Sequence, residues 1–95
     1  MNIQNTRPEV ANDKELTVTI QTTQGTWIST FLKTTKVQEV IQATINHFQF
    51  SQQGNYQLRL DQGTTSLALS PERPLVSYGI KDGDVLIFTD LGVAV

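Results

Sequence analysis

From Glu15 the chain alternates. Leu16, Val18 and Ile20 are apolar, and Thr17, Thr19 and Gln21 are polar. A period of two with β-branched residues predicts a half-buried strand. Thr22-Thr23-Gln24-Gly25 has turn chemistry, with Gly25 free to take positive φ. Thr26 to Lys33 predict a second strand and, with the first, a β-hairpin. Val37, Val40, Ile41, Thr44, Ile45 and Phe48 then recur at helical spacing. They predict one amphipathic helix over 35–49. Thr35 is its expected N-cap and Gln38 the capping-box partner.

After the helix the period returns to two. Tyr56, Leu58 and Leu60 predict a third strand over 56–61, and Ser66 to Leu69 a short fourth. Pro71 and Pro74 exclude regular structure between them. Leu75 to Ile80 read as a compact turn carrying core anchors. Val85 to Thr89 form a continuously apolar last strand, as a central strand covered on both faces would be. Residues 1–14 lack apolar periodicity and are expected to be a flexible N-terminal tail. A core domain over 15–90 and a short C-terminal tail over 91–95 complete the organisation.

The second strand leaves a surplus. Trp27 and Phe31 lie on one face of it, and Ile28 and Leu32 on the other. A single sheet offers one core face, so one of these pairs is left near solvent. Either a tail or loop covers that pair, or it is a partner or self-association surface.

Composition narrows the function. Ninety-five residues make one small domain, and 38% hydrophobic content gives a modest core. The absence of cysteine excludes disulfides, thiolate metal sites and thiol nucleophiles. A net charge of −2 argues against a nucleic-acid surface. No stretch approaches the ~18 apolar residues of a membrane span, and the first residues lack the pattern of a secretory signal. Cytoplasmic location is the expectation, without cofactor or metal. His47 is the only histidine and lacks catalytic or ligating partners. Asp82-Gly83-Asp84 offers too few oxygens for calcium and reads as a turn. Lys14, Lys33, Lys36 and Lys81 read as solvated charge. An enzyme is not expected.

The order hairpin, helix, strand, short strand, compact turn, apolar strand is that of an α+β β-grasp fold. In it the last strand lies parallel to the first at the sheet centre. Arg73-Pro74-Leu75-Val76-Ser77-Tyr78-Gly79-Ile80 resembles the turn that precedes the last strand of the ubiquitin-like family. Gly83-Asp84-Val85-Leu86-Ile87 is similar to the strand ending of its bacterial members, and Thr35 to Ile41 resembles the family's helix start. The resemblance spans residues 15–91. It implies a mixed sheet of four to five strands carrying one helix, and protein partners.

Two branches of the family fit. The bacterial modifier branch implies attachment of the C-terminal tail, Leu91, Gly92, Val93, Ala94 and Val95, by E1-like and E2-like enzymes. This tail lacks the terminal Gly-Gly of the pattern. A processing peptidase would expose Gly92, or the enzymes would accept another end. The EsaB/YukD-like branch of secretion-associated proteins implies a non-conjugated interaction or self-assembling module. Its partner surface would use the spare residues among Trp27, Ile28, Phe31 and Leu32. Ubiquitin's own recognition patch is apolar. The matching positions here, Gln57, Arg59 and Thr89, are polar, so ubiquitin-receptor binding is not carried over.

Overall fold

A computed structural model of the chain describes residues 14–92. Five strands form one mixed sheet, and a single helix crosses one face of it. The elements are β1 (Glu15–Thr22), β2 (Gly25–Leu32), α1 (Val37–Phe48), β3 (Asn55–Asp61), β4 (Ser66–Ala68), a 3-10 turn (Leu75–Tyr78) and β5 (Val85–Gly92). The strand order is β2-β1-β5-β3-β4. β5 runs parallel to β1 and antiparallel to β3, as the β-grasp order requires. The fold class expected from the sequence is therefore the one observed.

Register fixes the core. Leu16, Val18 and Ile20 of β1, Leu58 and Leu60 of β3, and Leu86 and Phe88 of β5 all point to the helix side and are buried. Val37, Val40, Thr44 and Ile45 meet them from α1. Thr44 is the one buried polar residue among those described, and its hydroxyl donates to the Val40 carbonyl at 2.8 Å. That bond removes most of the desolvation cost of a buried hydroxyl. Leu75 and Ile80 close the core from the segment before β5.

The helix starts later than the threonine pattern suggests, at Val37, with Lys36 as its N-cap. Thr35 is otherwise engaged: its amide donates to the Leu32 carbonyl, and its carbonyl accepts from the Leu75 amide, each at 2.9 Å. The Glu39 carboxylate, not Gln38, accepts from the Lys36 amide at 2.9 Å. The helix's first orphan donors are satisfied by a neighbouring loop. Val37 donates to the Arg73 carbonyl at 2.9 Å and Gln38 to the Pro71 carbonyl at 2.8 Å. At the other end Gln49 takes the left-handed conformation at φ 61, and the Phe50 amide closes back on the Ile45 carbonyl.

Two expectations about β5 change. The strand is apolar on both faces but covered on one: Leu86 and Phe88 are buried, while Val85 and Ile87 are half-buried on the open face. A single helix covers only one face of a sheet. The strand also continues past Thr89 to Gly92. Tyr56 pairs with Asp90 and Asn55 with Gly92, so Leu91 is the extra residue of a β-bulge. Gly92 takes φ +86, and its amide donates to the Asp90 carboxylate at 2.8 Å. Leu91 and Gly92 thus belong to the sheet and not to a tail. Val93, Ala94 and Val95 lie outside the described residues, as do residues 1–13 of the expected N-terminal tail.

Candidate functional site

The two faces of β2 part company. Trp27 and Phe31 turn toward the helix side, half-buried, and pack against the core. Ile28 and Leu32 turn to the open face and are 67% and 53% exposed. The surplus pair on this strand is therefore Ile28 and Leu32.

Trp27 anchors β2 through aromatic contacts. Its ring stacks on His47 with centroids 4.1 Å apart and planes 6° from parallel. Phe31 and Phe48 meet it edge-on at 6.2 and 6.5 Å. The series continues from Phe48 to Phe50 and on to Phe88 and Tyr56. Aromatic pairs of this geometry each add about 0.5–1.5 kcal/mol beyond area burial. His47 is thus a packing partner of Trp27, a role its place in the sequence does not reveal.

β2 is an edge strand, and its backbone orientation follows from that of β1. The Thr17 amide donates to the Asp82 carboxylate at 2.8 Å, the Gly83 amide donates to the Thr17 carbonyl at 2.9 Å, and the Thr19 amide donates to the Asp84 carbonyl at 3.0 Å. Thr17 and Thr19 therefore point away from β2, so Leu16, Val18 and Ile20 carry the hairpin ladder to Phe31, Ser29 and Trp27. The intervening residues Thr26, Ile28, Thr30 and Leu32 aim their amides and carbonyls outward from the sheet. The Thr17 and Thr30 hydroxyls meet at 2.9 Å across the open face.

Nothing in β2 blunts this edge. Its eight residues contain no charge and no proline, and its register with β1 runs without a bulge. At its end a cavity of about 400 Å³ is lined by Lys14, Leu32, Lys33, Thr34 and Val76. Val76 is itself 49% exposed. The apolar surface of β2 thus runs into a hollow rimmed by two lysines.

The remaining candidates are structural. Asp82 and Asp84 serve the turn before β5, where the Asp84 carboxylate accepts from the Lys81 amide at 3.0 Å. No group of three or more potential metal ligands gathers among the described residues. Arg59 donates to the Ser66 hydroxyl at 2.7 Å, to the Ser66 carbonyl at 2.9 Å and to Gln57 at 3.0 Å. It is spent on tying β4 to β3. Of the C-terminal candidates, Leu91 is 58% exposed at its bulge, and nothing lies within 4 Å of where a Cβ on Gly92 would sit. This segment and β2 are separate. β5 leaves β1 after Gln21 and ends against β3, far along the sheet from Leu32 at the start of β1.

No protein-family model matches the chain, and no curated protein matches it. Solved structures do. A designed protein based on ubiquitin is similar with a TM-score of 0.66 and 22% identity, over 85% of this chain and 94% of that one. Tubulin-binding cofactor B of Trypanosoma brucei is similar with a TM-score of 0.71 and 14% identity, over 84% and 99%. The C-terminal ubiquitin-like domain of mouse tubulin-specific chaperone e is similar with a TM-score of 0.69 and 16% identity, over 86% and 92%. At these identities the likeness is one of fold. The chain has the ubiquitin-like β-grasp fold, an architecture that serves several functions. No helix among the described residues is long and apolar enough to cross a membrane.

Proposed function

We propose that this chain is a ubiquitin-like protein-binding module that contacts its partner through the β2 edge, with Ile28 and Leu32 at the contact. The carrying observation is an uncharged, bulge-free edge strand with two large apolar side chains on one face, exposed without a function inside the fold. Edges of this kind template pairing with another chain. Similar folds in the tubulin-binding cofactor and tubulin chaperone support a binding role for such a domain outside protein tagging. On this reading the chain acts in the bacterial cytoplasm, has protein partners and performs no catalysis of its own. The test is retention of partners from its own cells on the immobilised chain. Ile28→Asp with Leu32→Asp abolishes retention while the unfolding midpoint holds, and truncation after Gly92 leaves retention intact. Equal retention by the double variant overturns the reading.

A second reading is favoured by Leu91. It is exposed at the bulge that ends the central strand, next to Gly92. In this reading E1-like and E2-like enzymes attach the chain to targets, with or without trimming after Gly92. Intact mass and blotting of the chain from its own cells decide it. Adducts heavier than the 10.6 kDa chain support it, and a single unconjugated species overturns it.

A further inference from the structure

We infer that the occupant of the β2 edge is a second copy of this chain, paired antiparallel about a two-fold axis through Thr30. The inference rests on the reading that β2 is the binding surface and specifies what fills it.

The backbone sets the allowed registers. Thr26, Ile28 and Thr30 offer outward amides and carbonyls, and Leu32 offers its amide, its carbonyl already accepting from Thr35. An antiparallel copy must therefore place these residues opposite one another. Centring the pair on Thr30 sets Ile28 of each copy against Leu32 of the other, with the two Thr30 residues facing between them. About four ladder hydrogen bonds result, two from the Thr30 pair and one from each Ile28–Leu32 pair, in which the Leu32 amide donates to the Ile28 carbonyl. All four exposed apolar side chains then lie in cross-strand pairs on one face, flanking a Thr–Thr pair, and such pairs stabilise sheets. Centring on Ser29 instead sets Ile28 and Leu32 of each copy against threonines, and centring on Ile28 sets Leu32 of each copy opposite Gln24, beyond the strand.

Charge favours self-pairing over an ionic partner. Like charges facing each other across a two-fold destabilise a sheet, and β2 has none. The charges nearest the strand are Lys33 beyond its end and Glu15, which sits beside Leu32 in the β1 register. In the Thr30-centred register, Lys33 of one copy faces Trp27 of the other. That places a cation beside an indole, a favourable combination. The result is an isologous, closed contact that joins two sheets into one and leaves no free β2 edge.

The absence of native cysteine makes the test clean. Sedimentation of the wild-type chain gives twice the 10.6 kDa chain mass as concentration rises. Thr30→Cys gives a disulfide-linked dimer under mild oxidation, because facing residues of a hydrogen-bonded pair lie about 5.5 Å apart at Cα. Thr26→Cys, on the same edge and face but four residues from the axis, does not cross-link. Thr30→Lys sets like charges on the axis and raises the dimer dissociation constant about tenfold or more, with unchanged far-UV circular dichroism. A chain that stays monomeric up to about 1 mM, a regime that captures even weak pairs, overturns the inference. So does a dimer indifferent to Thr30→Lys, or equal cross-linking at Thr26 and Thr30. If the chain is monomeric yet Ile28→Asp with Leu32→Asp still abolishes partner retention, the self-pairing falls and the binding surface stands.

Discussion

At one edge of the sheet β4 has three residues, and at the other β2 has eight. β4 is tied down from both sides. The Arg59 guanidinium holds Ser66 by its hydroxyl and its carbonyl, and beyond the strand the Ser70 amide donates to the Tyr78 hydroxyl at 2.8 Å. Side chains thus occupy backbone groups that an approaching strand would need. On β2 the side chains instead secure the inner face only. Trp27 and Phe31 lock the strand onto the helix, and its outward amides and carbonyls stay available except the Leu32 carbonyl, which accepts from Thr35. One sheet therefore carries a closed edge and an open one, and an open edge is a template for pairing with another strand.

The comparison breaks most visibly at Trp27. Trp27→Ala removes the ring that stacks on His47 and meets Phe31 and Phe48, and leaves a partly filled gap beneath β2. The expected loss is about 2–3 kcal/mol, near the low end for Trp truncation because Trp27 is half-buried. It is read as a lower urea midpoint at unchanged slope. A loss under about 0.5 kcal/mol, typical of a surface site, means that Trp27 does not anchor the edge.

Arg59→Ala tests the closed edge. Its loss frees the Ser66 hydroxyl and carbonyl, at a cost of about 1 kcal/mol. Hydrogen exchange should quicken at the Gln62 and Leu69 amides, which bond within and beside the β3–β4 pair, while the Trp27 and Ser29 amides hold their rates. Quickening at both edges alike contradicts the assignment of Arg59 to β4. Ile28→Lys, on the open edge, shifts monomer stability by no more than about 0.5 kcal/mol because its side chain supports nothing inside the fold. A cost above 1 kcal/mol, measured at a concentration where association is absent, makes Ile28 a structural residue instead.

Much of this was legible in the chain. The alternation of Leu16, Val18 and Ile20, and the helical spacing from Val37 to Phe48, place every central element. Periodicity reports which face of an element is apolar, and those faces build the core. The surplus on β2 was legible as a surplus, but periodicity could not choose between Trp27 with Phe31 and Ile28 with Leu32. Partners distant in sequence made that choice, since His47 and Phe48 wait on the helix side. The same limit explains the cap and the last strand. Thr35 looks like an N-cap until the loop at Leu75 takes its carbonyl. Leu91 and Gly92 look like a tail until β3 supplies Asn55 and Tyr56 to pair with. The openness of β2 is a property of strand order and backbone direction, and neither is written in the strand itself.

The smallest expected effect lies at the far end of the closed edge. The Tyr78 hydroxyl sits below its ordinary value near 10 because Ser70, through its side chain and then its amide, hydrogen-bonds and favours the phenolate. The Arg73 guanidinium, 4.7 Å from the ring centroid, adds to this. A depressed folded value has a definite sign. Between the folded and unfolded values the unfolded chain binds more protons, so stability rises with pH across that window. The contribution is fully present above about pH 10 and is lost as pH falls through the folded value. Lysines titrate in the same range, so the difference between wild type and Tyr78→Phe isolates the effect. That difference in urea midpoint should widen from about pH 8 to about pH 10.5, and the Thr30→Lys variant of the open edge should show the same widening. A difference that stays flat or narrows means that the phenolate gains nothing from Ser70, and that the closed edge is held at Tyr78 by packing alone.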